Sequence, residues 1–550
     1  MNKKKNKDLI AIILSLLVLT ASSVLEYMLQ THNGSVRIST TRIATPDGST
    51  IEAKLYVPEN ADAQNPVPLI ITSPGGNSTY QMVEPINEEL TARGYAVLTY
   101  SMFNHGSSDI STDPNYGAEA VIEYGAGLPF VDTGRIGLIG QARSSAYLMR
   151  TSINHDLPVS AIFSIDFSAD MNILQGYDST TPISLGWAIN RKNEYLTDPK
   201  AVFSDAELKS VFGIASEASI EPGRTYGSAA SGTLRVLFPS SSTDSFYAVS
   251  RDVVLAASDF FHQTLGGSDL STTHIGWMVF LQGCGFYSVI ALMLCSALAA
   301  LRGQAHPTQL KTSTVSWQSV LVILIPAVSY IPLYTVGSQI LVSTPLFPQC
   351  TTNGHMIWMV VMILFCLIMI WKQKDISSLF AISTPMLAAG LTGFAVGYFA
   401  LLIRSSLFSQ TFSFLCSNLS VLSLRRFTAA LAYLPIFLIY SVLTELCRIS
   451  FFRFNTGTSR QYLSSILCYT IPFLAIFLIN LSGFAFAGHA LFHWGRFAIG
   501  PTTFLLPILP ACGIISESSY RRIGSVWLGS LLNALLLTWL LCASNSFYYM

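Results

Sequence analysis

Residues 131–145 read Val131-Asp-Thr-Gly-Arg135-Ile-Gly-Leu-Ile-Gly140-Gln141-Ala142-Arg143-Ser144-Ser145. A short aliphatic run, Ile136 to Ile139, ends at a glycine and passes without a spacer into polar residues suited to a helix start. That is a strand turning directly into a helix. The pattern recurs on both sides. Strand-like runs fall at 51–57, 67–72, 95–100, 135–139, 159–165, 210–215 and 234–238, with helical patterns between them at 82–93 and 251–265. Strand–helix alternation of this kind predicts a mostly parallel, doubly wound sheet covered on both faces.

The rest of the chain differs in composition. Of 550 residues only 11% are charged and 51% are hydrophobic, with 31 Lys and Arg balancing 31 Asp and Glu. Soluble domains are about one quarter charged, so the whole chain is not a soluble protein. It has no basic excess for binding nucleic acid. The neutrality is a cancellation, because residues 31–269 hold 26 Asp and Glu against 14 Lys and Arg, and residues 270–550 hold 3 against 13. Three domains are expected: an N-terminal anchor helix over 1–30, an α/β domain over 31–269, and an all-α polytopic bundle over 270–550. The lipid bilayer is the partner of the first and last.

Apolar stretches long enough to cross a bilayer lie at 274–300, 317–341, 355–371, 379–403, 427–447, 462–487, 497–516 and 523–543. With the anchor this makes nine spans. A cleavable signal peptide is the competing reading of the first, although no clear small-residue cleavage motif follows it. The Ser-rich stretch 405–424 reads as an interfacial or re-entrant loop. With the N-terminus inside, 13 Lys and Arg fall on inner segments and four (Arg404, Arg425, Arg426, Arg496) on short outer loops. The positive-inside rule then puts the N-terminus in the cytoplasm and residues 31–269 outside, in a multi-pass protein of the plasma membrane. All nine cysteines lie beyond residue 280. A cysteine-free external domain fits a bacterial exported domain.

The motifs of the α/β segment resemble those of the α/β-hydrolase superfamily, in particular its dienelactone-hydrolase and serine-esterase-like members. Pro68-Leu-Ile-Ile-Thr-Ser73-Pro-Gly75-Gly76 is similar to the family's third strand and the loop that supplies an oxyanion-hole amide. The stretch from Gly94 to Asp109, ending Asn104-His105-Gly106-Ser-Ser-Asp109, resembles the next strand and its turn. The opening stretch resembles the strand entering the G-x-S-x-G nucleophile elbow, and 251–265 the closing helix. The resemblance implies a serine hydrolase, yet Ala142 stands where the nucleophile belongs and Ser144 replaces the second glycine. Aligned on Pro239, Thr243 stands near the histidine position, and no histidine occurs between His155 and His262. Glu217, after the run 210–215, is the candidate remnant of the triad acid.

The expectation is therefore a degenerate hydrolase that serves as a binding or scaffold module for a small molecule or cell-envelope ligand. Ser73, Gly75, Gly76, Gln141, Arg143 and Asp244 are its candidate binding residues, with Asn77 beside them, at the carboxyl ends of the strands where open α/β sheets bind ligands. An active esterase or peptidase with a non-standard nucleophile is the alternative, with Ser144 as fallback nucleophile and His105 as a candidate base. His155 and Asp156 read as a turn. A transporter with an outer capture domain is the third reading. No cofactor and no metal are expected: His489 and His493 share a helix face, but nothing nearby completes a metal site. Glu445 and Arg448 read as a local i,i+3 pair at the membrane interface, and no buried charge pair of a proton-coupled transporter is visible.

Overall fold

The computed structural model describes residues 2–155, 157–166, 174–195, 198, 201–268, 270, 272–302, 310–373, 376–492 and 494–547. Asp156, Asp269, Lys374 and His493 lie outside the described residues. The chain divides into two compact units, one of Leu25–Phe280 with Asn480–His493, the other of Met1–Val24, Leu281–Ile479 and Trp494–Met550.

The α/β unit holds nine strands: β1 Val36–Ala44, β2 Thr50–Pro58, β3 Val67–Ser73, β4 Ala96–Tyr100, β5 Val131–Gln141, β6 Ala161–Ile165, β7 Ser184–Asn190, β8 Thr225–Tyr226 and β9 Arg235–Ser240. They form one sheet in the order β1-β2-β4-β3-β5-β6-β7-β9-β8. From β4 to β9 every pairing is parallel, while β1, β2 and β8 join antiparallel. Among the described residues five α-helices serve this unit: α2 Glu84–Ala92, α3 Ala118–Ala126, α4 Arg143–Asn154, α5 Ala206–Phe212 and α6 Arg251–Leu265, with α1 (Asn2–Gln30) preceding the sheet. Alternate residues of a strand face opposite ways, and both sets are apolar here. Leu69, Ile71 and Leu138 pack with Val121 of α3 and Leu148 of α4. Ile70, Val97 and Ile139 pack with Ile86 of α2 and Phe260 of α6. The expected doubly wound, mostly parallel sheet is present.

One expected strand is not. Residues 206–212 are helical, because Asp205 caps the first turn by accepting from Leu208 N at 2.9 Å and Gly213 closes the last with φ 66°. The penultimate parallel strand is instead β7, Ser-Leu-Gly-Trp-Ala-Ile-Asn, whose glycine and lack of a β-branched run hide it.

The helical unit contains α7 Ile275–Ala300 in large part, α8 Trp317–Ile340, α9 Cys350–Ile370, α10 Thr384–Phe408, α11 Leu424–Cys447, α12 Thr458–Phe486, α13 Arg496–Leu505, α14 Leu509–Ile523 and α15 Trp527–Ser544. Among the described residues eight helices, α1 included, are long and apolar enough to cross a membrane, or nine if the bent pair α13–α14 counts as one span. The span expected at 497–516 is the bent pair, in which α13 and α14 meet at 46°. Pro507 and Pro510 interrupt the backbone ladder there. The freed carbonyls of Thr503, Phe504 and Pro507 accept from Cys416 Sγ at 3.0 Å, Ser417 Oγ at 2.6 Å and the Tyr287 hydroxyl at 2.8 Å. Cys416 and Ser417 come from the stretch read as a loop, which forms a buried two-stranded hairpin, β10 Phe412–Phe414 with β11 Ser417–Leu419. The helix α15 is enclosed by its neighbours over 94% of its span.

Candidate functional site

The site is built at the carboxyl ends of β3, β5, β6, β7 and β9. Ala142 joins β5 to α4 with φ 47° and ψ −106°, outside the regions that residues with a Cβ occupy freely. Its N–H donates to the Ile165 carbonyl at 2.8 Å, which ties the turn to β6. Helix α4 approaches closely because residue 140 is glycine: a Cβ there would lie 2.4 Å from the Ser145 nitrogen. This is a tight strand-to-helix turn with a methyl group at its tip.

The side chains around it are engaged. Ser144 is fully buried, its hydroxyl accepting from Gln141 N at 2.9 Å and donating to the Ser73 carbonyl at 2.9 Å. Gln141 lies directly over Gly75, where a Cβ would overlap its Oε1, and its amide donates to the Asp244 carboxylate. The Arg143 side chain passes over Gly76, with Cδ 3.5 Å from where a Cβ would stand. His105 donates from Nδ1 to the Phe103 carbonyl at 2.8 Å and accepts from Asn77 N at 3.2 Å. Nε2 thus holds the glycine loop and Nδ1 the backbone of its own turn. Asp109 accepts from Thr50 N and Oγ1, each at 2.9 Å, and pins its turn to β2.

Glu217 is exposed, in the turns after α5, so its expected place beyond the penultimate strand is corrected. The residues following β7 lead instead to Glu194, which sequence reasoning missed. Glu194 is buried and accepts from Asp244 N at 2.7 Å and Ser245 Oγ at 3.0 Å. Asp166, also missed, directly follows β6 at φ 55° and accepts from Asn190 N at 2.9 Å and from the Asn190 side-chain amide. Asp244 follows β9, is hydrogen-bonded to the Asp166 side chain, and lies under the charges of Asp166 and Glu194. Three carboxylates therefore converge at the ends of β6, β7 and β9.

Loss of water, and for Asp166 and Asp244 the neighbouring carboxylates as well, disfavours their charged forms. Burial first, with a contribution from Glu194, pushes Asp166 up to about 7. Burial raises Glu194. Burial and then the two neighbouring charges raise Asp244 well above the ordinary range. Thr243 is buried beside them, and neither its Oγ1 nor the Oδ1 of Asn190 meets a hydrogen-bond partner among the described residues. The array offers hydrogen bonds and exchangeable protons. Ala142 supplies no nucleophile to it.

No family model matches the chain, and no curated protein matches it. Solved structures do. An esterase from Pyrococcus furiosus is 12% identical over 42% of this chain and 92% of its own, with a TM-score of 0.31. A glucuronoyl esterase from Solibacter usitatus is 14% identical over 42% of this chain and 83% of its own, at 0.32. A hypothetical protein from Pseudomonas aeruginosa is 21% identical over 26% of this chain and 47% of its own, at 0.23. The chain spans about half the length of this last protein and of other neighbours like it.

A second polar cluster lies within the helical unit and corrects the reading of Glu445 and Arg448 as a local pair. Arg448 is fully buried and grips Glu445 with two bonds of 2.8 and 2.7 Å. It also reaches Glu517 of α14 at 3.1 Å. Glu517 is held as well by Arg453 at 2.9 Å and Arg521 at 2.8 Å. Tyr469 donates to Glu445 at 3.2 Å, and Arg453 donates to Gln461 at 2.9 Å. The segment Arg448–Phe452 is a π-helical turn, a local widening frequent at functional sites. Two acids and three arginines leave this buried network one positive charge in excess.

Proposed function

We propose that the chain is a multi-pass membrane protein whose α/β unit has the α/β-hydrolase arrangement but does not hydrolyse, and instead binds a polar ligand at the strand ends. The observation that carries this reading is Ala142: the strained elbow is kept, it bears no nucleophile, and His105, the one nearby imidazole among the described residues, is committed to the backbone. A covalent route needs an oxygen or sulfur on the elbow and a base to take its proton. Ser144 does not fill the gap, because its hydroxyl is buried in two backbone hydrogen bonds. The acceptor-rich array of Asp166, Glu194, Asp244, Thr243 and Asn190 suits a ligand rich in hydroxyl or amine donors, such as a small molecule or component of the cell envelope. The charge asymmetry across the spans supports an extracytoplasmic α/β unit.

The test is covalent labelling of the full chain, in detergent, with a fluorophosphonate probe, alongside ester turnover. Wild type and Ala142→Ser should both stay unlabelled, the second because a serine there still has no imidazole. Labelling of the wild type that disappears in Ser144→Ala would overturn the proposal and establish an active hydrolase with a displaced nucleophile.

One observation favours a second role, transport, for the helical unit. The break between α13 and α14 and the buried Glu445–Arg448–Glu517 network combine a discontinuous span with intramembrane charge. Reconstitution in liposomes tests it: uptake of a labelled solute that is lost in Glu517→Gln supports transport, and sealed vesicles without flux count against it.

A further inference from the structure

The α/β unit contains a second cluster that the hydrolase-like site does not use. Glu88 of α2 is fully buried, and neither carboxylate oxygen meets a hydrogen-bond donor among the described residues. Buried carboxylates are almost always bonded, so this one needs a partner. Two imidazoles face it at distances too long for a hydrogen bond: His274 Nδ1 is 3.7 Å from Glu88 Oε1, and His32 Nε2 is 3.9 Å from the same atom. Glu89, next along α2, is also buried, and one ligating atom each from Glu88, Glu89 and His274 fall within 4.8 Å of one another.

The surroundings fix these groups in place. Glu89 accepts from the His274 backbone N–H on one oxygen and from Arg93 at 2.9 Å on the other. Arg93 in turn donates to the Leu270 carbonyl at 2.8 Å, so Leu270 and His274 are held beside α2. His32 is oriented by the Glu88 carbonyl, 3.2 Å from its Nε2. That contact makes His32 a neighbour of the cluster and not one of its ligands.

Protonation of Glu88 does not resolve the arrangement. Burial and the adjacent Glu89 push its carboxyl up to about 8, but protonating one oxygen would still leave the other without a donor. A cation would bind one Glu88 oxygen, its coordinated water would donate to the other, and its charge would offset the Glu88–Glu89 repulsion. The donors are two carboxylates and one imidazole, and a tetrahedral Zn²⁺ with bonds of about 2.0–2.2 Å sets its ligands roughly 3.4 Å apart. The 3.7 Å between His274 and Glu88 closes to that with a small side-chain adjustment.

We propose that Glu88, Glu89 and His274 form a site for a divalent transition-metal ion, with Zn²⁺ the best match and water completing the coordination. His274, about half exposed at 48%, is the point of entry. His274 directly precedes α7, so the ion would fasten the segment entering α7 to α2. The role is structural, and it is independent of whether the elbow is active.

The experiment uses the full chain in detergent, purified through a tag without histidine, stripped with a chelator and titrated with Zn²⁺. Bound metal is read by mass spectrometry after gel filtration, and Co²⁺ substitution reports tetrahedral geometry by its visible absorption. One ion per chain is expected, lost in both Glu88→Gln and His274→Ala. The second variant, at a half-exposed residue, keeps the test valid should the first fail to fold. Absence of stoichiometric metal in the wild type, or retention of it in His274→Ala, overturns the proposal.

Discussion

Replacing Ala142 by glycine should stabilise the α/β unit, against the usual outcome of placing glycine inside a packed element. With φ 47° and ψ −106°, Ala142 occupies a sparsely populated region that costs of order 1–3 kcal/mol. Glycine enters it almost without penalty. Against that gain stand about 0.5–1 kcal/mol of extra unfolded-chain entropy and a few tenths of a kcal/mol for a half-buried methyl group. The balance is about 1 kcal/mol in favour of the variant. Hydrogen–deuterium exchange of the full chain reads it locally, through the amides of β5 and β6 that the turn ties together. A gain of 1 kcal/mol slows their exchange roughly fivefold. Ala142→Val should do the reverse, because a β-branched side chain tolerates positive φ least. Faster exchange in the glycine variant, or no change in the valine one, would refute the claim that this turn stores strain.

Two further outcomes follow from the buried charges. Glu517→Gln leaves the fully buried Arg453, and Arg521 beside it, without a counter-charge, while Arg448 keeps Glu445, and should cost about 3–5 kcal/mol; a thermal transition in detergent unchanged from wild type would contradict this. Asp166 is raised from 3.8 to about 7, so the folded chain holds the extra proton between those values and stability falls as pH climbs through them. The α/β unit should therefore unfold at higher temperature at pH 5.5 than at pH 8, and Asp166→Asn should flatten the difference; a profile rising toward pH 8 would show that Asp166 is ionised in the fold.

The motifs legible in the sequence are those written in consecutive residues. Gly75-Gly76, the turn ending at Asp109 and the elbow at Gly140 to Ser144 each declare a backbone shape through a short run of residue types, and the structure has the glycine loop, the turn and the elbow at those positions. Glu194 and Asp166 were not legible, because their place depends on which strands precede them. The strand β7 carries a glycine and no β-branched run, whereas residues 210–215 look like a strand and are capped into a helix by Asp205 and Gly213. The same holds for charge. Glu445 and Arg448 are visible as neighbours three apart, but their partner Glu517 is 69 residues beyond Arg448. His274 lies 185 residues from Glu89, a spacing that no metal motif records.

The enclosed position of α15 has a consequence for how the helical unit is made. Its residues are surrounded over 94% of the span, yet they follow those of every neighbouring helix in the chain and leave the ribosome after them. Until then α10, α11 and α14, which pack against it, have an unfilled seam between them. Until α15 is made, Arg426 lacks the Cys542 and Asn545 carbonyls that later receive it at 2.6 Å. Assembly of this unit is a closing act, in which a helix made after its neighbours is admitted among them.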